Sequence, residues 1–510
     1  MDRRDFLKIA GNGALLAPFL CSPFSKALAV SEGDRTHPNI IFIAVDDWND
    51  WVGCLNGYPA IQKPEVKTPN LDRLAAKGML FTDAHCPAPV CNPSRTAIMT
   101  GRCPSTTGIY NNGQWWRPHR PDIVSLPHYF KKIGYHVEGG GKLYHHPVGF
   151  NPPDQWDNYF NRVTGKYGKD EPGRFLYHEG ADPWPDSEPV AGVNKFRYNF
   201  DFGPVDVKES EMPDHRVFSW ARDFVNDPPA EPFFLAAGTF RPHLRWYVPP
   251  KYFAMYPLDE IELPEVKEDD LEDIPKGGMD ILSDSGPREE HELVVEKGKW
   301  KEAVQAYLAC ITFADAQVGM LLDALEEGGY FENSIIVLWS DHGYHLGEKQ
   351  HWHKFTLWER STHVPLIISA PGLTEPSSVC HQPVSLMDLY PTLLELSGFE
   401  PYDELDGTSL VPLLRDPEAP RTAPVISTME YKNHTVITDK WRYIRYAEGG
   451  EELYHRQEDP NEWHNLAEDP DYLSVKEVLA GQLPENNALG APKKKRYNFD
   501  PASYRWTRKE

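Results

Sequence analysis

Short apolar runs rich in β-branched residues alternate along the chain with segments in which apolar residues recur every three or four positions. The runs are typical of strands buried on both faces of a sheet, and the spaced segments are typical of helices that cover such a sheet. The sequence predicts buried strands at residues 39–45, 233–238, 335–339 and 364–369. This alternation predicts an α/β fold with a large mixed, mostly parallel sheet flanked by helices.

Two of the helical segments can be placed from the sequence. Asn70 can cap a helix that carries Leu71, Leu74 and Ala75, and Gly78 is positioned to end it. A long amphipathic helix before the strand at 335 is predicted from apolar residues at three- and four-residue spacing: Ala303, Tyr307, Cys310, Ala314, Val318, Leu321 and Leu325.

The pattern changes after about residue 415. Short strands arranged as hairpins are predicted at residues 424–429, 435–438 and 441–446, followed by another near 452–454. We therefore expect a large α/β domain at residues 36–415 and a smaller C-terminal α+β domain, with an antiparallel sheet, at residues 416–510. A stretch at 259–298, rich in Asp, Glu, Pro and Gly, is interpreted as an excursion or lid.

The first 29 residues are predicted to be a targeting signal rather than part of the folded domain. Arg3 and Arg4 precede an apolar stretch from Ile9 to Leu20, and small residues before Val30 suit cleavage. This arrangement resembles a twin-arginine export signal. A disordered basic N-terminus and a membrane anchor are the alternatives, but the apolar stretch is short for a bilayer. We expect an exported bacterial protein, periplasmic or extracellular, with no transmembrane segment.

The net charge of the chain limits the classes of molecule that it is expected to bind. The 510 residues include 76 acidic and 52 basic side chains, a formal net charge of −24 with histidine neutral. Because nucleic acids and anionic membranes are bound by basic surfaces, this excess argues against both as partners. Taken alone, it also argues against a polyanionic substrate. The seven cysteines are too few and too scattered for a disulfide scaffold, and no pair has zinc-ligand spacing.

Acidic residues follow two of the predicted strands. Asp46 and Asp47 come after the first strand, and Asp341 and His342 come after the strand at 335. Ligands of open α/β sheets bind at the carboxyl ends of the strands, and neighbouring carboxylates there favour a divalent cation held by oxygen ligands. The alternative for each site alone is that the aspartate caps the next helix.

Cys91 precedes Pro93 and Arg95 in a segment that predicts a helix N-terminus, where backbone N–H groups attract an anion. A lone cysteine is usually an inert core residue. Further cations come from separate loops, and they could surround an anionic ester or be ordinary surface lysines and satisfied histidines. They are Lys142, His145, His243 and Lys354.

The segment Cys91-x-Pro93-Ser94-Arg95, followed by Thr100-Gly101, resembles the signature of the sulfatases, in which the cysteine is oxidised to Cα-formylglycine (3-oxoalanine). The resemblance spans roughly residues 37–470 and is strongest to the iduronate-2-sulfatase branch of this alkaline-phosphatase-like superfamily. The sequence departs from the family pattern at Val137, where Ser or Thr is common, and at Asn92, where a smaller residue is commoner.

The resemblance implies a site and a mechanism. One Ca²⁺ would be held by five ligands: Asp46, Asp47, oxidised Cys91, Asp341 and His342. The hydrated formylglycine, made by a maturation enzyme, would attack sulfur. Arg95 and Lys142 would stabilise charge, and His145 would take the proton of the second hydroxyl. His243 and Lys354 would contact the sulfate and protonate the leaving alkoxide, with the division between them left open.

Aromatic and basic residues after the signature suggest the substrate. Trp115, Trp116, Arg117 and His351 could bind a sugar that bears a carboxylate or sulfate, which favours a sulfated sugar or polysaccharide fragment. The alternative for the tryptophan segment is a packed loop. Rival functions are a phosphodiesterase or phosphonate monoester hydrolase of the same superfamily, and a non-catalytic sulfated-glycan-binding relative.

Overall fold

The structure, a computed structural model, describes residues 37–57, 65–145, 147–160, 200–285, 288–500 and 502–509. From Pro38 onward the chain is one compact unit. The expected export signal at residues 1–29 lies outside the described residues, so that expectation stays a prediction.

The described strands belong to one large sheet and several small ones. They are β1 (Asn39–Val45), β2 (Met79–His85), β3 (His136–Gly141), β4 (Asn158–Phe160), β5 (Phe202–Pro204), β6 (Phe233–Gly238), β7 (Trp246–Val248), β8 (Ser334–Ser340), β9 (His345–Leu346), β10 (Trp352–His353), β11 (His363–Ser369), β12 (Ser378–Cys380), β13 (Val384–Ser385), β14 (Val425–Thr428), β15 (His434–Ile437), β16 (Trp441–Arg445), β17 (Glu451–His455), β18 (Tyr497–Asp500) and β19 (Arg505–Arg508).

The described helices range from single turns to one of 28 residues. They are α1 (Pro69–Lys77), α2 (Cys91–Thr100), α3 (Pro104–Thr107), α4 (Trp116–His119), α5 (Leu126–Lys132), α6 (Pro147–Phe150), α7 (Pro213–Asn226), α8 (Pro250–Phe253), α9 (Lys276–Ser285), α10 (Arg288–Glu296), α11 (Trp300–Glu327), α12 (Glu359–Thr362), α13 (Leu389–Leu396), α14 (Val411–Arg415) and α15 (Leu473–Ala480).

The large sheet has the order β12-β2-β11-β8-β1-β6-β3-β4, with β13 also paired to β2. Its centre is parallel: β1 lies between β8 and β6, and β3 and β4 extend the sheet in the same direction. The strand β11 runs antiparallel to β8 and β2, so the sheet is mixed. The predicted fold class and the buried strands are therefore confirmed.

Both faces of the large sheet are covered, which explains why its strands read as continuous apolar runs. Ile41 and Ile43 of β1 belong to the core beneath α1, α7 and α11, whereas Ile40 and Phe42 belong to the core beneath α2, α5 and α13. Successive residues of a strand point to opposite faces, so apolar residues are required at every position.

The C-terminal hairpins form a separate antiparallel sheet of strands β14, β15, β16 and β17 in sequence order. The expected domain boundary at residue 415 coincides with the end of α14. The small sheet nevertheless contacts the large one, because Thr428 N donates to Pro87 O at 2.9 Å and Ser427 Oγ donates to Cys86 O. The predicted excursion at 259–298 contains turns, α9 and α10.

The helix α11 is long and apolar enough, by length and composition, to cross a membrane, but 83% of its most apolar window is buried inside the protein. Its residues from Ala303 to Leu325 pack against the large sheet and α7. We conclude that its apolar character comes from its position as a core helix.

The N-terminus of α1 is capped differently from the sequence prediction. Thr68, not Asn70, occupies the N-cap position, and its side chain makes no capping bond. The carboxylate of Asp315, on α11, instead accepts the backbone N–H of Asn70 at 3.1 Å and of Leu71 at 2.9 Å. The prediction of an Asn70 cap is wrong because the carboxylate of Asp315, which is distant in sequence, accepts the N–H groups at the start of the helix.

We expect Asp315→Ala to lower the free energy of unfolding by about 1–3 kcal/mol, because two backbone N–H groups lose a buried acceptor. Urea denaturation followed by fluorescence measures the change. The matched control is Asp323→Ala on the same helix, whose side chain is 61% exposed; we expect it to cost less than about 1 kcal/mol. Equal costs for the two variants would contradict the capping role of Asp315.

Candidate active site

The carboxyl ends of β1 and β8 bring four polar residues together. These strands pair in parallel with Val45 opposite Ser340, so the residues that follow them are neighbours. Asp46, Asp47, Asp341 and His342 are each fully buried. The backbone N–H of Asp47 donates to Asp341 Oδ1 at 3.1 Å, which fixes the two segments against each other.

Cys91 is the first residue of α2, whose ten residues are all buried. The helix start lies against the end of β8: Ser94 Oγ donates to the Asp341 carbonyl at 2.5 Å, and His342 Nε2 is 3.2 Å from Cys91 Sγ. The predicted helix N-terminus is confirmed. The dipole of this helix favours an anion at its start.

Three cationic side chains neutralise the three carboxylates. Arg95 Nε donates to Asp341 Oδ2 at 2.7 Å, and its Nη2 donates to Asp46 Oδ1 at 2.9 Å. Lys142, which follows β3, pairs with the other oxygen of Asp46. Lys354, which follows β10, donates to both oxygens of Asp47 at 2.7 and 2.6 Å.

This arrangement moves the pKa values of the buried groups. Burial alone would raise the pKa of Asp46, but Lys142 and Arg95 hold it well below its usual range. Burial raises the pKa of Asp47 to about 6, although Lys354 opposes the shift. Burial also opposes ionisation of the Cys91 thiol, but Lys354 and Lys142 outweigh it and lower its pKa. The site therefore stabilises negative charge at the position of Cys91.

The donor set fits a hard divalent cation. One carboxylate oxygen from each of Asp46, Asp47 and Asp341 lies within 4.8 Å of the others, and Cys91, Asp341 and His342 form a second overlapping group. Buried carboxylate oxygens are the ligands that Ca²⁺ and Mg²⁺ prefer, and the imidazole of His342 is a softer addition.

Two histidines lie beside this cluster. His243, beyond the end of β6, has a ring nitrogen within 4.8 Å of donor atoms of Asp47 and Cys91, and its Nδ1 is 2.8 Å from the Leu244 carbonyl. His145 is half-buried with its ring edge-on to Phe150 at 5.3 Å. Burial, assisted by Lys142, holds the pKa of His145 well below its usual value, so its imidazole is neutral.

The structure thus collects every candidate metal and catalytic residue named from the sequence in one region, while their individual roles stay predictions. Sequence reasoning missed two hydroxyl groups that brace them. Tyr307, in the middle of α11, donates to the Asp47 carbonyl at 2.7 Å, and Ser340 Oγ accepts from Trp48 N and donates to His342 O. Tyr307 reads as one more apolar position of its helix, so no local signal could have identified it.

The candidate substrate residues are placed differently from the expectation. Trp115 is 8% exposed and packs against the β18–β19 hairpin, and Trp116 is 1% exposed. His351 is fully buried and its Nε2 is 2.8 Å from the Lys354 carbonyl. Arg117 pairs with Asp154 at 2.7 Å. The packed-loop alternative describes the two tryptophans, because core packing covers the rings that would otherwise contact a sugar.

Two sequence-family models and several known proteins match this chain. A sequence model of the sulfatase family matches residues 38–399, and a model described as N-sulphoglucosamine sulphohydrolase, C-terminal, matches residues 347–488. The chain is 42% identical to a Formosa agariphila protein named Sulfatase over 94% of this chain and 92% of that protein. It is 29% identical to iduronate 2-sulfatase of Homo sapiens over 71% of this chain and 69% of that enzyme.

Among solved structures, the fold is similar to that of a protein in complex with its substrate D-glucosamine-2-N,6-O-disulfate. The TM-score is 0.68 at 20% identity, and the match covers 87% of this chain and 96% of the other. The family model covers more than half of the chain, and the Formosa relative matches almost all of it. The resemblance drawn from the Cys91 motif is therefore confirmed. The chain belongs to the sulfatase family and is a hydrolase of sulfate esters.

Proposed function

We propose that this protein removes sulfate from a sulfated carbohydrate, with Cys91 oxidised to formylglycine as the nucleophile and one Ca²⁺ as the metal. The observation that carries the proposal is the position of Cys91, at a buried helix N-terminus beside three carboxylates and three cations. The metal would be held by Asp46, Asp47, Asp341 and His342 together with the modified Cys91.

Two groups would supply chemistry that unmodified side chains lack. Formylglycine would provide a hydroxyl nucleophile for sulfur in place of a thiol. Ca²⁺ would act as a Lewis acid toward the sulfate oxygens. A maturation enzyme that oxidises Cys91 is the partner implied by this assignment. We further propose that residues 1–29 direct export to the periplasm or the extracellular space.

The fixed cations would stabilise charge on the sulfate. Arg95 is held by Asp46 and Asp341, so its guanidinium is oriented before substrate arrives. Lys142 and Lys354 are fixed by Asp46 and Asp47, which also lie beside Cys91. Preorganised charges in a buried site stabilise a transition state without reorganisation of solvent.

The histidines and Lys354 are the candidates for proton transfer. His243 lies at the edge of the cluster, where it can donate a proton to a departing sugar alkoxide, and Lys354 can share this role. A neutral His145, whose pKa is influenced by Lys142, can accept a proton. Alkoxides are poor leaving groups, so a general acid is required for a carbohydrate sulfate.

The carbohydrate assignment rests on relatives. Human iduronate 2-sulfatase is similar over most of the chain, and the solved neighbour has a disulfated glucosamine as its substrate. The excess of acidic residues in the whole chain does not oppose this assignment, because the cations around Cys91 act at short range.

We expect matched aryl sulfate and aryl phosphodiester substrates to differ in kcat/KM by at least about tenfold in favour of the sulfate.

Protein produced with an active maturation enzyme should carry the oxidised side chain in the Cys91 peptide by mass spectrometry. Cys91→Ala should lower sulfate release by more than about 10³-fold, because it removes the nucleophile. The half-buried Cys54 provides a matched control, and Cys54→Ala should retain activity.

A preference for the phosphodiester would assign the protein to the phosphodiesterase or phosphonate monoester hydrolase alternative. Full sulfatase activity with an unmodified thiol at Cys91 would refute the nucleophile. Binding of sulfated glycans without any release of sulfate from matured protein would support the non-catalytic alternative.

Removal of divalent cations by chelation should abolish sulfate release and lower Tm, and Ca²⁺ should restore both, because a ligand that binds only the native state stabilises it. In Asp46→Asn, added Ca²⁺ should no longer raise Tm, a readout independent of activity. Asp269→Asn, which changes an exposed carboxylate, should keep the Ca²⁺-dependent rise in Tm. An equal rise in both variants would place the metal elsewhere.

A further inference from the structure

A cavity of about 450 Å³ lies directly beside the candidate active site. Val90, which precedes Cys91, and Phe355, which follows Lys354, both contribute to its wall. The loop after α3 supplies Tyr110 and Asn112, α9 supplies a third side, and the turns of the C-terminal sheet close the fourth. The cavity is thus built from the neighbours of the nucleophile and of a catalytic lysine.

Hydrogen bonds connect the walls of the cavity to the segment around Cys91. Asn112 Oδ1 accepts the backbone N–H of Asn92 at 3.0 Å, and Phe355 N donates to the Pro89 carbonyl at 3.1 Å. Lys354 Nζ lies 5.9 Å from the centre of the Phe355 ring. Val90 and Phe355, the chain neighbours of Cys91 and Lys354, therefore join the wall of the cavity to the candidate active site.

Acidic side chains line the cavity. Glu430 and Glu448 line it, together with Asp280, which pairs with Lys276 at 2.5 Å. Glu448 Oε1 also accepts the backbone N–H of Gly277 at 2.6 Å. None of the described residues that line the cavity is Lys, Arg or His. Lys276, just outside the lining, also interacts with Glu448, so it can balance only one of the three carboxylates that line the cavity.

Aromatic and apolar groups complete the surface. Tyr110 is held by a hydrogen bond from its hydroxyl to the Ala488 carbonyl at 2.8 Å and by edge-on contact with Tyr431 at 5.9 Å. Phe355 and Met429 lie on the other walls. Aromatic faces bordered by carboxylates suit the C–H face of a sugar ring and its hydroxyl or ammonium groups.

We propose that this cavity receives the alcohol part of the sulfate ester and excludes a second anionic group there. The substrate is then a sulfated sugar that presents a neutral or amine-bearing flank to Glu430 and Glu448, not a carboxylate or second sulfate. This inference rests on the proposed sulfatase function. It concerns specificity, because the carboxylates would repel a second anion without touching the sulfur.

The test uses aryl sulfates whose para substituent is a trimethylammonium, an acetyl or a carboxylate group, so that the alcohol part carries charge +1, 0 or −1. The readout is kcat/KM for matured wild-type protein and for Glu430→Gln/Glu448→Gln. Glutamine keeps an oxygen acceptor for Gly277 N. Dividing the variant's ratios by those of the wild type cancels the intrinsic reactivity of each leaving group.

We expect the double variant to raise the carboxylate-to-trimethylammonium ratio roughly threefold to tenfold, as Coulomb interactions over several ångströms at a hydrated surface allow. High salt should shrink the effect by screening. The control is Glu395→Gln, an exposed residue of α13 outside the cavity, which should leave the ratio unchanged.

The outcomes separate the two proposals. An unchanged ratio in a double variant that still releases sulfate would overturn the cavity assignment and leave the sulfatase proposal standing. Failure of the matured wild-type protein to release sulfate from all three esters would overturn the proposed function itself. A wild-type preference for the anionic ester that the double variant does not alter would also overturn the cavity assignment.

Discussion

Three carboxylates and three cationic side chains neutralise each other where β1 and β8 end, in a region closed to solvent. A buried charge that loses its partner costs about 3–5 kcal/mol, so each member of the cluster constrains the others. Arg95 can reach Asp46 and Asp341 only when α2 starts against the end of β8. The same contact fixes Cys91, because it begins that helix. The placement of Cys91 is thus a consequence of charge neutralisation.

The cluster also explains how a chain with a net charge of −24 can act on an anionic ester. Coulomb energies depend on distance and on the local dielectric, and distant surface carboxylates are screened by water and salt. Arg95, Lys142 and Lys354 act within the buried site, where screening is weak. The exposed basic run at Lys493–Lys495 and Arg496 lies beside the loop after α3, since Lys494 N donates to Gly113 O at 2.5 Å. Net charge therefore describes the surface and not the site.

The fold and the grouping of charged residues after β1 and β8 could be predicted from the sequence because both depend on short patterns, while the roles of these residues stay predictions. A strand buried on two faces needs apolar residues throughout, and the residue after its end is placed by the strand itself. The capping of α1 by Asp315 and the hydrogen bond from the Tyr307 hydroxyl could not be predicted from the sequence, because each joins residues more than 200 positions apart. Trp115 and Trp116 were misleading for a related reason: aromatic residues mark a sugar site or a core equally well. Tertiary packing decides between these two: the C-terminal hairpin covers Trp115, and Tyr144 covers Trp116.

Asn92 connects Cys91 to the cavity that we propose determines substrate specificity. The family pattern favours a smaller residue here, yet the Asn92 side chain is buried and donates to the carbonyls of Asn111 and Gln114 at 2.9 and 2.8 Å. Its backbone N–H, one residue after Cys91, is held by Asn112 Oδ1. The loop that carries Tyr110 is therefore connected by hydrogen bonds to the helix that begins with Cys91. A smaller residue would leave the partly buried carbonyl of Asn111 and the buried carbonyl of Gln114 without these donors. In this chain, the wall of the acidic cavity and the start of α2 form one hydrogen-bonded unit.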